Sequence, residues 1–274
     1  MRLPSVAGFF YPNEPLEIRG LLSSFERRVP RKIIDGKIIG AVVPHAGYVY
    51  SGLTAMHAYL ALMGNNRDKI HRFIIIGPSH QGFPSFPAVY DSGSWATPLG
   101  VAEIDMELAR SFLASSEIAR PDIQGHEGEH SIEVQIPILQ YLLGNRFTFL
   151  PIQLGDQGIN VANRIASELV RLSGDFMIIA SSDLNHYESQ EITLKKDFSL
   201  ISKITSLDIA GFYRVLRDEN VSACGYGAIA TLMAVAKKLG GQMELIHHST
   251  SGEVNRDFSS VVGYSAIVAS IPDR

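Results

Sequence analysis

Two hydrophobic periods alternate along this chain, and that alternation limits the folds open to it more than any other feature. The runs KIIGAVV (37–43), RFIIIG (72–77), FTFLPI (147–152), DFMIIAS (175–181), MELIHH (243–248) and VVGYSAIVAS (261–270) read as strands. Most are nearly continuous in apolar residues, as strands covered on both faces are. Between them, residues 52–63, 105–115, 131–143, 158–172, 193–203, 208–218 and 225–239 read as helices. Over 158–172, for example, Ile159, Ala162, Ile165, Ala166 and Leu169 recur at helical spacing and mark one apolar face. The alternation predicts a three-layer α/β/α sandwich around a largely parallel or mixed sheet. Residues 81–104, rich in Gly, Pro and Ser, are expected to form a long structured excursion. No repeat or linker divides the chain, so residues 1–274 are read as a single domain.

Composition excludes several classes. With 46% hydrophobic and 19% charged residues, the chain has the apolar content of a folded core rather than a disordered segment. A formal net charge of −4, with no block of Lys or Arg, points away from nucleic acid and from anionic membranes. Cys224 is the sole cysteine, which rules out an intrachain disulfide and fits a reducing cytoplasm. The start MRLPSVAGFFYPNEP lacks the basic beginning and apolar core of a signal peptide. No apolar stretch approaches the ~20 residues of a membrane span. A soluble, cytoplasmic protein is expected.

Open α/β sheets bind ligands beyond the carboxyl ends of their strands. Three polar clusters follow predicted strands there: Pro44-His45-Ala46-Gly47-Tyr48, Pro78-Ser79-His80, and Ser182-Asp183-Leu184-Asn185-His186. Each offers a histidine close to its strand end. Cys224 precedes Gly225-Tyr226-Gly227 and a clear helix, and the helix N-terminus is expected to favour its thiolate. A buried, inert thiol is the competing reading. Two histidines and a thiolate make a three-ligand set with open positions for water, substrate or dioxygen, and thiolate softness admits iron(II), copper or zinc. His186 then serves as a non-ligating acid or base, with Asp183 orienting it or a neighbour. His57, His71, His247 and His248 lack this placement and are read as structural.

Other motifs fit less well. His126-Glu127-Gly128-Glu129-His130 spells H-E-x-x-H, but Gly125 and Gly128 interrupt the helix that a zincin site needs. His130 and Glu133 are nevertheless expected to face the pocket, because they open a helix near it. Gly225-Tyr226-Gly227-Ala228-Ile229-Ala230 matches a dinucleotide fingerprint without the strand that must precede it. Its glycines read better as permitting close backbone approach beside Cys224. Ser79 with Asp183 and His186 makes a serine-hydrolase alternative, though Gly77-Pro78-Ser79-His80-Gln81 lacks the second glycine of the nucleophile elbow.

Taken together, Pro44-His45-Ala46-Gly47-Tyr48 with Tyr50-Ser51-Gly52, Gly77-Pro78-Ser79-His80, Glu129-His130-Ser131-Ile132-Glu133, Ser181-Ser182-Asp183 with His186, and Cys224-Gly225 resemble the Memo family. Ala7-Gly8-Phe9-Phe10-Tyr11-Pro12 and Val262-Gly263-Tyr264-Ser265-Ala266 fit the same pattern, so the likeness runs over essentially the whole chain. That family is structurally similar to class III extradiol dioxygenases, in which two histidines and a carboxylate hold iron(II) and a further histidine is the acid/base. The resemblance implies histidine-ligand places for His45 and His80, the acid/base place for His186, and one metal ion per chain, iron(II) first. Cys224 falls where the dioxygenases have their carboxylate. A thiolate is softer and oxidisable, so ring cleavage does not carry over directly.

The resemblance also implies other roles. Animal members are described as motility mediators that bind phosphotyrosine peptides and as metal-dependent redox proteins. Microbial members are often encoded near radical-SAM and AMMECR-type proteins. Two expectations follow: a redox-active metal protein acting on a small-molecule or peptide substrate, or a non-catalytic pocket for phosphorylated or anionic peptides. A hydrolase using Ser79 or a bound metal is the lesser alternative.

Overall fold

The structure, a computed structural model, describes residues 1–64 and 71–273. Its first half runs α1 (Pro15–Glu26), β1 (Lys37–Val43), α2 (Tyr48–Met63), β2 (His71–Pro78), β3 (Ala88–Val89), β4 (Ser94–Thr97), β5 (Gly100–Ile104), α3 (Met106–Ser115) and β6 (Arg120–Pro121). There follow α4 (Ile136–Leu143), β7 (Phe147–Leu154), α5 (Ile159–Arg171), β8 (Met177–Ser181), β9 (His186–Glu188) and α6 (Gln190–Thr205). The chain ends with α7 (Ile209–Asp218), α8 (Tyr226–Lys238), β10 (Gln242–Thr250), α9 (Gly252–Asn255) and β11 (Val261–Ile271).

The sheet is mixed, in the order β10-β11-β1-β8-β2-β7-β3-β6. Its centre, β1-β8-β2-β7, is parallel throughout. β11 pairs antiparallel with β1, and β10 with β11. Side chains alternate between two apolar layers, as the strand period requires. Ile74 and Ile76 of β2 join Leu150 and Ile152 of β7 and the Ala162, Ile165, Ala166 and Leu169 stripe of α5. Phe73 and Ile75 point the other way, into a layer with Ile18 and Leu22 of α1 and Met56 and Tyr59 of α2. This is the expected α/β sandwich. Because both faces are covered, the central strands read as unbroken apolar runs.

All six predicted strands and seven predicted helices are present with shifted ends. Residues 131–143 are the main departure: a 3₁₀ turn at Glu133–Gln135 leads into α4, which begins only at Ile136. The amides of His130 and Ser131 are taken by the Glu129 carboxylate, which holds the preceding residues out of a helix. The unpredicted α1 buries Ile18, Leu22 and Phe25 on one face. The excursion over 81–104 contains β3 and the β4–β5 hairpin. Among the described residues, no helix is long and apolar enough to cross a membrane.

Arg72 of β2 ties the sheet to α3. Its Nε and Nη2 donate to Asp105 at 2.6 and 2.9 Å. Asp105 also caps α3 through the Leu108 amide at 2.9 Å and accepts from Thr148 Oγ1 at 2.9 Å. Burial alone would raise this carboxyl, but its donors hold it below its ordinary value. Its folded value being depressed, its contribution is full above the unfolded value of about 3.9 and is lost as pH falls through the folded one. Asp105→Ala should cost about 1–3 kcal/mol at pH 7 by urea unfolding, with a smaller difference at pH 3. A difference that does not change with pH would remove the ionic part of this account.

Candidate metal centre

β8 lies between β1 and β2, so the loops leaving their carboxyl ends are spatial neighbours. His45 follows β1 and is 1% exposed. Its backbone N–H donates to Asp183 Oδ1 at 2.8 Å. Its Nδ1 lies 2.9 Å from Ser181 Oγ. The Ser181 hydroxyl donates to the Ser131 carbonyl at 2.6 Å and accepts from Gln135 Nε2 at 2.9 Å. With that hydroxyl hydrogen committed, His45 Nδ1 must be the donor, and Nε2 keeps its lone pair. Nε2 faces Cys224 Sγ at 3.0 Å.

His80 follows β2 and is fixed by one carboxylate. Its backbone N–H donates to Glu129 Oε2 at 2.8 Å and its Nδ1 to Oε1 at 2.9 Å. Nε2 is again left free. Glu129 is 3% exposed and also accepts from the His130 and Ser131 amides, each at 2.9 Å. Burial opposes its charge, yet these donors hold its carboxyl well below the usual range. The same pairing outweighs burial at His80 and raises its imidazole.

Cys224 stands just before α8, with Gly225 as the cap residue. Asp183 N donates to its sulfur at 3.3 Å. A Cβ on Gly225 would sit 2.2 Å from the Ser181 carbonyl oxygen, so only glycine lets this backbone pass so close to the end of β8. The expected thiolate bias is overturned. Burial, and then the nearby Asp183 carboxylate, push the Cys224 thiol well up. Burial and neighbouring imidazoles push His45 well down. The short contact is therefore thiol to neutral imidazole, with S–H donating to Nε2.

His186 opens β9. Its N–H donates to Ser222 Oγ at 2.8 Å, and its Nδ1 lies 2.9 Å from the Ser222 carbonyl. A carbonyl only accepts, so Nδ1 carries the hydrogen and Nε2 is open. Asp183 Oδ1 accepts from the His45 and Ala46 amides at 2.8 and 3.3 Å. Burial raises its carboxyl.

A ring nitrogen from each of His45 and His80 and the sulfur of Cys224 lie within 4.8 Å of one another. His80, Glu129 and His130 form a second such group, and Asp183, His186 and Cys224 a third. His130 belongs to the cavity, as expected: its ring lies 4.4 Å from that of His80 and 5.4 Å from that of His45. Burial lowers it to about 4. Glu133 does not face the cavity. Its carboxylate is taken by Arg2, the Ser5 and Val6 amides and the Tyr11 hydroxyl. The role of Glu129 has no signal at strand-end spacing; its only mark is its place in the Glu129–Glu133 run.

These groups line a cavity of about 800 Å³ walled by Phe10, Tyr50, Tyr187 and Tyr264. No Lys or Arg is among its described lining residues. The competing motifs do not assemble. His126 is buried, and its Nε2 bonds to the Ala88 carbonyl, apart from His130. Residues 221–225, before α8, form no strand. The Ser79 hydroxyl donates to the Phe83 carbonyl, while Asp183 and His186 are committed as described, so no triad forms.

The donor set suits a metal ion: two imidazole nitrogens and one sulfur, the donor types of zinc and iron sites, lie within 4.8 Å of one another. Fold and site thus define an α/β protein with a candidate metal centre at the carboxyl ends of its parallel strands. The model for the Memo-like protein family matches residues 2–268. A MEMO1 family protein of Thermoplasma volcanium is 52% identical over 98% of both chains. One from Thermoplasma acidophilum is 48% identical over 99% of both, and one from Sulfolobus acidocaldarius 41% identical over 97% of this chain and 98% of its own. The chain belongs to the Memo family.

Removing Glu129 strands four donors, the Ser131 amide buried and the other three partly buried. Glu129→Ala should cost about 3 kcal/mol or more by denaturant unfolding at pH 7. A loss below about 1 kcal/mol would mean that water replaces the carboxylate at little cost.

Proposed function

We propose that this protein is a redox-active metal protein related to the extradiol dioxygenases, acting on a small-molecule or peptide-borne substrate in the cavity. His45, His80 and Cys224 hold one ion, iron(II) by preference, with copper or zinc as alternatives. The observation that carries this reading is the convergence of two imidazole nitrogens and one thiol sulfur within 4.8 Å, each imidazole with its other nitrogen committed. The hydrogen between His45 and Cys224 occupies the place a cation would take, so loading should release protons. Bound there, such an ion would supply a binding point for dioxygen or polarise a substrate oxygen.

The chain's own groups supply the rest. His186 presents Nε2 to the cavity and can accept a proton from a substrate hydroxyl or return one. Asp183 holds the His45 segment in register. Phe10, Tyr50 and Tyr264 exclude water and give a planar substrate apolar walls. Asp183 in the lining and Glu129 behind His80 supply buried acidic groups, with no Lys or Arg among the described lining residues, an electrostatic setting that favours a cation. The same inventory weighs against the second reading, a pocket for phosphorylated or anionic peptides. A phosphate would find no fixed cationic side chain in the described lining and would depend on the ion itself.

Elemental analysis of protein purified without chelator should give about one metal ion per chain, most of it lost in Cys224→Ala. Unchanged metal content in that variant would sink the ligand assignment. Cys224→Asp should keep iron(II) better than copper, because a carboxylate is the harder donor. Stripping the ion should abolish turnover on this reading. A pocket protein would keep its ligand affinity after the same treatment.

A further inference from the structure

Behind His186 lies a buried polar chain that the metal site does not use. Asn185 is fully buried, yet each of its polar atoms has a partner. Its N–H donates to Asp197 Oδ1 at 3.0 Å and its carbonyl accepts from the Gly263 amide at 2.9 Å. Its Nδ2 donates to Glu188 Oε2 at 2.7 Å and Thr193 Oγ1 at 3.3 Å. Its Oδ1 accepts from the amide and the hydroxyl of Ser222, both at 3.3 Å. The amide end is unambiguous, because a backbone N–H lies on one side and an ionised carboxylate on the other.

Ser222 passes this order on. Its hydroxyl hydrogen is spent on Asn185, so its oxygen accepts the His186 N–H, and its carbonyl accepts His186 Nδ1–H. The other end is anchored as firmly. Asp197 is fully buried, and its Oδ2 accepts from His248 Nε2 at 2.8 Å. A Cβ on Gly263 would lie 1.8 Å from that same Oδ2, so the strand can approach Asp197 only as glycine.

We infer that Asn185 is a positioning residue which holds Ser222, and through it the Nδ1–H tautomer of His186, while Asp197 and His248 anchor its backbone. This rests on the reading of His186 as the proton-transfer group. Asparagine is the shortest side chain that accepts at one corner and donates at the other. An aspartate keeps the acceptor for Ser222 but meets Glu188 without a donor, and an alanine leaves the Ser222 amide and hydroxyl unpaired.

The test is long-range ¹H–¹⁵N correlation of histidine rings in the zinc-loaded protein, with His186 assigned by loss of its signals in His186→Gln. The wild type should show a protonated Nδ1 and an unprotonated Nε2. Asn185→Ala should shift this toward averaged nitrogen positions or the Nε2–H form, and Asn185→Asp should restore the wild-type pattern at reduced stability. A merely structural asparagine would lower the melting temperature in both and leave the ring nitrogens unmoved. If Asn185→Ala does not fold, Ser222→Ala serves instead, since it removes the hydroxyl that joins the two residues. An unchanged His186 pattern in whichever variant folds overturns the inference. Zinc content, measured on the same samples, should match wild type. A wild type that takes up no zinc fails the metal reading alone, and the tautomer is then read on the zinc-free protein.

Discussion

Everything at the cavity depends on the insertion of β8 between β1 and β2 in parallel register. Val43 pairs with Ser181, so the chain leaves both strands at the same level, and Ser182 N immediately returns to the Val43 carbonyl at 2.9 Å. His45 and Asp183 are thereby brought side by side from opposite halves of the sequence. Parallel pairing demands long crossovers, and these place α2 on one face of the sheet and α8 on the other. Cys224 reaches the same point from the far face because α8 begins there.

The electrostatic order of the site follows from burial more than from helix dipoles. Position alone suggests an ionised Cys224 at a helix N-terminus, but desolvation and the adjacent Asp183 carboxylate outweigh that bias. Glu129 is the contrasting case: it stays ionised in the interior because three backbone amides and an imidazole point at it. A carboxylate with several well-placed donors tolerates burial that a thiol with one long donor does not. The result is neutral imidazoles at His45 and His130, a protonated sulfur at Cys224 and one firm anion behind His80.

Much of this was legible beforehand. The strands betrayed themselves as apolar runs, and His45, His80 and His186 as the polar residues that end them. Gly225 carries its own explanation in the Ser181 oxygen that a side chain would strike. Less legible were the groups whose roles arise only from long-range contact. His130 and Glu129 lie in a segment whose helical pattern is broken by Glu129 itself. Glu133, in the same motif, turns away to gather Arg2, Ser5 and Tyr11. Residue type and spacing are the same kind of signal for all three, and they could not separate an inward carboxylate from an outward one.

By itself the sequence determined the layered α/β architecture and the ends of the strands at which chemistry collects, because hydrophobic period and strand termination are local properties. It determined the residue types on offer there: imidazoles, carboxylates and one sulfur. Only the tertiary structure decided which of them meet, which tautomer each imidazole holds, and whether the thiol is ionised. Those depend on strand order and on burial, and both arise from contacts between residues that are near neighbours in space and more than a hundred positions apart along the chain.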